Sequence, residues 1–171
     1  MSTKIRKIVF TALMASLICV ATMIIKIPTP LHGYINLGDA IVLLAAWTLG
    51  PLYGCAAAGI GSALADLFSG YAMYAPATFV IKGLMALVAW AVYKKIKKTR
   101  STVFLCISAI LTELLMVVGY YLFEGVLYGF VPSLVNVPAN LIQALGGIVF
   151  GIVLNKAIGK YIMVDEQKGE K

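Results

Sequence analysis

Seven side chains that can ionise or hydrogen-bond strongly stand among apolar neighbours: Asp39, Asp66, Lys82, Glu113, Asn136, Asn140 and Gln143. Asn136, Asn140 and Gln143 follow i, i+4, i+7 spacing and so share one face of a helix. Glu113, Val117, Tyr120 and Glu124 form a similar stripe. Amides donate and accept hydrogen bonds, and tyrosines add flat apolar area with a hydroxyl. This set suits capture of a small polar molecule with an aromatic ring. It does not suit covalent chemistry, because no nucleophile stands with its base and no HExxH, GxSxG or paired metal carboxylates occur. An intramembrane enzyme would have to work through Asp66 and Glu113. The chain has no GxxxxGK[ST], so it holds no P-loop for ATP. Cys19, Cys55 and Cys106 lie far apart without metal-ligand spacing, and His32 is the one histidine. Neither a metal nor a bound cofactor is expected.

The elements that position these groups must cross a membrane. The 171 residues are 61% hydrophobic and 12% charged, with mean hydropathy +0.96. A soluble domain carries roughly 25% charge. A spanning helix needs about 20 apolar residues. The runs predict one all-α domain, residues 1–171, of six spans. Span 1 is about Ile8 to Ile25 and stops at "IPTP", since Pro28 and Pro30 cannot continue a helix. Its basic flank resembles a signal peptide, but no small-x-small site follows, so it reads as a retained span. Span 2, Asp39 to Leu49, is short and needs shielding by its neighbours. Span 3 follows "GPLYG" and runs to Phe68, and Ser69–Ala75 is a loop. Span 4 runs from Pro76 to near Tyr93, and span 5 from Thr102 to Phe123. Span 6 begins between Pro132 and Pro138 and ends near Ile158. GxxxG pairs at Gly50/Gly54 and Gly147/Gly151 read as close helix packing within the chain rather than dimerisation.

Charge fixes the orientation. Twelve of the 14 Lys and Arg residues fall before span 1, between spans 4 and 5, and at the chain end. Six spans place all three clusters on one side. The positive-inside rule then puts both termini in the cytoplasm, as a short basic segment 1–7 and a tail 159–171. Clustering between apolar runs also argues against a nucleic-acid-binding face. Depths follow. Asp39 and Asp66 lie at the outer ends of spans 2 and 3. Lys82 sits about 9 Å below the outer start of span 4. Glu113 is near the middle of span 5. Tyr120 and the span 6 amides are in the outer half, which makes an outward-facing pocket rather than a channel or proton wire.

Each of these groups has a second reading. Asp39 follows Gly38 and reads first as an N-cap of span 2. Asp66 and Lys82 either neutralise one another or meet a ligand. Tyr71 and Tyr74 are either interface-belt aromatics or a lid. Lys82, Glu113, Tyr120, Asn140 and Gln143 are the expected pocket residues, with Asn36, Tyr71 and Tyr74 at the lid or rim. Asp39, Asp66 and Asn136 are expected as polar support.

With six spans, cytoplasmic termini and an outward pocket, the chain resembles the substrate-binding S component of energy-coupling factor (ECF) vitamin transporters. The motifs "GYINLGD" and "SGYAMYAPATFVIKG", within Ile27–Ala86, are similar to the subgroup associated with hydroxymethylpyrimidine or pyridoxine-type substrates. The resemblance implies a prokaryotic plasma-membrane subunit that binds a vitamin from outside. It also implies a membrane coupling subunit and two cytoplasmic ATPase subunits that use ATP on its behalf. Small residues on span 1 make the docking contact in that family. The matching stretch here is "TALMASLI", with Ala12, Ala15 and Ser16. The competing expectations are an autonomous secondary carrier for a small metabolite and a non-transport assembly protein paired through its GxxxG faces.

Overall fold

The order of elements follows the hydrophobic runs closely. The computed structural model describes residues 3–96 and 102–162. Helix α1 is Thr3–Ile24, followed by a two-residue hairpin of β1 (Ile27–Pro28) and β2 (Tyr34–Ile35). Then come α2 (Gly38–Leu49), α3 (Pro51–Phe68), α4 (Ala75–Ile96) and α5 (Thr102–Tyr128). A short α6 (Phe130–Ser133) and a turn of 3-10 helix (Leu134–Asn136) lead into α7 (Val137–Leu154). A π-helical turn (Asn155–Gly159) and α8 (Lys160–Ile162) complete the described chain. Five helical stretches are long and apolar enough to cross a membrane, and α2 is the sixth, shorter one. Lys97, Lys98, Arg100, Lys168 and Lys171, part of the charge pattern above, lie outside the described residues.

Helix α2 organises the bundle. Its 12 residues rise about 18 Å, well short of a hydrocarbon core of roughly 30 Å. It survives because it is central. All of its residues except Ile41 are buried, and it packs against α1, α3, α4 and α7. Val42, Leu43, Leu44, Ala45 and Ala46 are almost completely covered. The outer helices instead present Ile8, Val9, Leu13, Leu114, Val118, Ile142 and Leu145 on their free faces, the pattern expected of a lipid-facing rim.

Small residues set how closely the helices approach. A Cβ on Gly54 would stand 3.0 Å from the Cα of Ala46, and one on Gly151 would stand 2.9 Å from Leu43. One on Gly61 would meet the backbone of Ala15. Both GxxxG pairs are therefore spent inside the chain, as their spacing led one to expect. Gly50, at φ 85°, makes the left-handed turn between α2 and α3.

Two boundaries and one element differ from what the sequence led one to expect. Helix α1 begins at Thr3 rather than Ile8, because a helix continues past the apolar run into its basic flank. Helix α5 runs to Tyr128 rather than Phe123, since Glu124 turns inward and the helix stops only before Gly129 at φ 92°. The hairpin between spans 1 and 2 was not expected. Its two-residue strands, Ile27↔Ile35 and Pro28↔Tyr34, are too short to show an alternating pattern.

Candidate functional site

The polar side chains converge at the end of the bundle where α1 ends and α7 begins. They line a cleft between α1, the hairpin, α3, α4, α5 and α7, with about 470 Å³ of empty space when its open mouth is counted.

Its floor is a linked set of charges and amides. Lys82 of α4 forms an ion pair with Asp39 in the first turn of α2. The other oxygen of Asp39 accepts from Gln143 Nε2 at 2.7 Å. Gln143 Oε1 in turn accepts from the backbone N–H of Asn36 at 2.9 Å and its Nδ2 at 3.3 Å. Asn36 Oδ1 accepts from the Gly38 N–H at 2.9 Å. Lys82 Nζ also lies 5.5 Å from the ring centre of Tyr120, whose hydroxyl is 3.1 Å from Thr78 Oγ1. A buried ion pair needs its remaining lone pairs and protons met; both oxygens of Asp39 are, whereas Lys82 Nζ donates to Asp39 alone among the described residues and keeps further protons at the cavity wall.

The mouth is built differently. Tyr34 of β2 donates to Asp66 Oδ1 at 2.5 Å and rests against the Tyr71 ring, with centroids 4.7 Å apart. Burial, and then the Asp66 carboxylate, push the Tyr34 hydroxyl well above its ordinary value, so it stays a proton donor. Tyr74 donates to the Leu31 carbonyl at 2.6 Å and stands 3.3 Å from Glu124 Oε1. That oxygen also accepts from Asn136 Nδ2 at 2.9 Å. Burial, and then Glu124, push the Tyr74 hydroxyl up likewise. The hairpin is thereby tied to α3, to α5 and to the loop before α4.

Several groups here have no partner. Ser62 Oγ, Thr29 Oγ1 and Glu124 Oε2 line or border the cavity, are buried, and make no hydrogen bond among the described residues. Buried polar atoms ordinarily find partners, so a run of orphans at one cavity marks a place for a ligand or water.

The expected residues sort as follows. Asn36, Asp66, Tyr74, Lys82, Tyr120, Asn140 and Gln143 lie on the cavity wall. Tyr71 does not; it backs Tyr34 from behind. Asn136 stands behind Glu124. Glu113 is also off the wall. It is fully buried beside Asp39, near Gly147, and its two oxygens have no hydrogen-bond partner among the described residues. Helical phase explains this, since α5 turns Glu113 toward α2 and α7 rather than into the space above them. Asp39 is not an N-cap: no side-chain cap bond forms, and its carboxylate holds Lys82 and Gln143 instead. Asp66 and Lys82 do not pair with one another, because Asp39 reaches Lys82 from the neighbouring helix and Tyr34 takes Asp66. On α1, Ala12 and Ser16 are exposed, whereas Ala15 is half-buried with its backbone against Gly61 of α3.

Thr22, Thr29, Gly33, Tyr34, Ser62, Thr78 and Glu124 also line the cavity and were not among the expected site residues. Glu124 belonged to the α5 stripe, so its spacing was a usable signal. The hydroxyl residues gave none, because Ser and Thr in an apolar helix commonly bond their own backbone.

Comparison with known proteins agrees with this fold. Residues 2–160 match the family described as ECF-type riboflavin transporter, S component. The chain belongs to the S components of ECF transporters. It is 32% identical over 154 residues to the riboflavin transporter RibU of Staphylococcus aureus (strain TCH60), covering 86% of this chain and 82% of that one. It is 37% identical over 148 residues to an uncharacterized protein in the gap 3′ region of Pyrococcus woesei, covering 83% of this chain and 97% of that one. Its fold superposes on a solved S component of a bacterial ECF transporter with TM-score 0.74 at 25% identity, covering 92% and 98% of the two chains. The S component is the substrate-binding subunit of such a transporter, an integral protein of the prokaryotic plasma membrane.

Proposed function

We propose that this S component captures riboflavin in the cavity above the Asp39–Lys82 pair and delivers it through a membrane coupling subunit driven by two ATPase subunits. The single observation that carries the reading is the convergence of Lys82, Asn140, Gln143, Tyr74 and Tyr120 on one cavity. Amides and a lysine meet the heteroatoms of a ring system, and the tyrosines supply flat area and hydroxyls. The family description and the Staphylococcus relative favour the flavin over the single-ring pyridoxine or hydroxymethylpyrimidine that the resemblance of Ile27–Ala86 implies.

The clustering of basic residues supports cytoplasmic termini, with the cavity mouth facing outward. Ala12 and Ser16, exposed four residues apart on α1, support a close helix contact with the coupling subunit. Proteoliposomes test the division of labour. Labelled riboflavin should enter only when the coupling subunit and ATPases are present with ATP. Entry through this chain alone, driven by a proton gradient, would establish the autonomous carrier instead.

A further inference from the structure

The segment that joins α5 to α7 turns its polar groups in and its apolar ones out. Glu124, Ser133 and Asn136 are buried on its inner side. Asn136 Nδ2 donates to Glu124 at 2.9 Å, and the Ser133 hydroxyl donates to the Gly129 carbonyl at 2.8 Å. Backbone groups are served internally as well, since the Gly129 N–H donates to the Gly125 carbonyl and the Ser133 N–H to that of Gly129. The outer side presents Val126, Leu127, Phe130, Val131, Leu134 and Val135, with Val126 and Val131 each 80% exposed. No Asp, Glu, Lys or Arg occurs between Glu124 and Lys156.

A contiguous apolar patch of this kind is rarely left to water. Two features say what covers it. Val126 is the next member of an exposed row on α5, Leu114, Val118 and Leu122, so the patch continues the lipid-facing rim without a break. The length of α5 is the other. Its 27 residues rise about 40 Å, more than a hydrocarbon core of roughly 30 Å and close to a bilayer with its headgroup layers. The end of α5 therefore reaches the headgroup layer, where Gly129, at φ 92°, turns the chain back toward α7. A protein partner would find no charged side chain here for the polar rim that such contacts carry. We propose that residues 126–135 lie embedded in the headgroup–acyl boundary of the outer leaflet and seat the Glu124 edge of the cavity in lipid. This requires that the chain span a bilayer, not that riboflavin be its ligand.

The test places a tryptophan on this tip, as Val126→Trp and separately as Val131→Trp, in the full chain reconstituted into phosphatidylcholine–phosphatidylglycerol vesicles. Both positions are exposed, so neither ring has to displace the packed interior. The signal of Trp47 and Trp90, measured on the wild type in the same vesicles, is subtracted. Lipid brominated near the head of its acyl chains should reduce the added emission about twofold or more at both positions, and aqueous iodide should reduce it by less. Bromine near the chain ends should act more weakly than bromine near the head. Stronger quenching by iodide at either position puts the tip in water and overturns the proposal. Quenching by neither means that protein covers the face, a second copy of the chain included, and overturns it too. Stronger quenching by chain-end bromine puts the tip in the hydrocarbon core and overturns the interfacial placement. Thermal unfolding identifies a variant with a disturbed fold, and the other then carries the test.

Discussion

The two halves of this bundle handle buried polarity in opposite ways. In the half that holds the start of α1 and the end of α7, Thr48 donates to the Leu44 carbonyl, Thr112 to that of Ser108, and Ser108 to that of Ala89 while accepting from Trp47 Nε1 at 3.0 Å. Every one of these hydroxyls is used. In the other half, Ser62, Thr29 and Glu124 keep unpartnered oxygens around a cavity, beside an ion pair that a stable core would not need. The first half is built mainly for packing, and these hydroxyls tie helices together, although Asn155 Oδ1 there has no hydrogen-bond partner among the described residues. The second gives up packing and satisfied hydrogen bonds to leave a shaped space. Changes in the first half should therefore cost stability alone, whereas changes at the cavity floor should cost both stability and binding.

The largest expected effect breaks the floor. Lys82→Met leaves Asp39 buried without its cation and should lower stability by about 3–5 kcal/mol while abolishing vitamin binding. Thermal unfolding and calorimetry read the two losses. Adding Asp39→Leu removes the stranded charge and should recover most of the stability but none of the affinity. Recovery of both would show that the pair is structural and not part of the site.

The converse comparison uses Ser108→Ala in the dry half. Trp47 Nε1 loses its acceptor, and unfolding should move by about 1–3 kcal/mol with vitamin affinity unchanged. A changed affinity would mean that the halves are coupled. Gln143→Leu should instead weaken binding by more than about 1 kcal/mol, since Asn36 and Asp39 both lose a partner at the wall. Calorimetry showing equal affinity would take Gln143 out of the site. The smallest effect is expected at Tyr71, which acts only through Tyr34. Tyr71→Ala should cost affinity about 0.5–1.5 kcal/mol by loosening that ring contact. A full loss of binding would place Tyr71 in the site itself.

How much of this was legible in the sequence depends on the kind of signal. Long apolar runs and prolines marked the spans well, because a bilayer imposes one length on every helix. Even the short α2 was readable as needing shelter. Asn140 and Gln143 led to the cavity wall because helical phase survives folding, whereas Asn136 ends the preceding 3-10 turn and bonds Glu124 from behind. Pairing was less readable. Asp39 and Lys82 are 43 residues apart, and nothing in either neighbourhood tells that α2 and α4 face one another at that depth. Asp66 is closer in sequence to Lys82, which is why those two looked like partners. Glu113 shared a stripe with Tyr120 and Glu124 but fell behind the wall, since seven residues of helix set it about 10 Å deeper than Tyr120, beside Asp39 and Gly147. The hairpin was invisible because its strands are two residues long.

The most direct test of the central claim is a titration of riboflavin into the purified full chain, followed by flavin fluorescence, with Gln143→Leu as the control. The account predicts saturable quenching at one flavin per chain, weakened in the variant while its unfolding transition persists. A folded wild-type chain that leaves flavin fluorescence untouched, or a variant that quenches as well as the wild type, would contradict it.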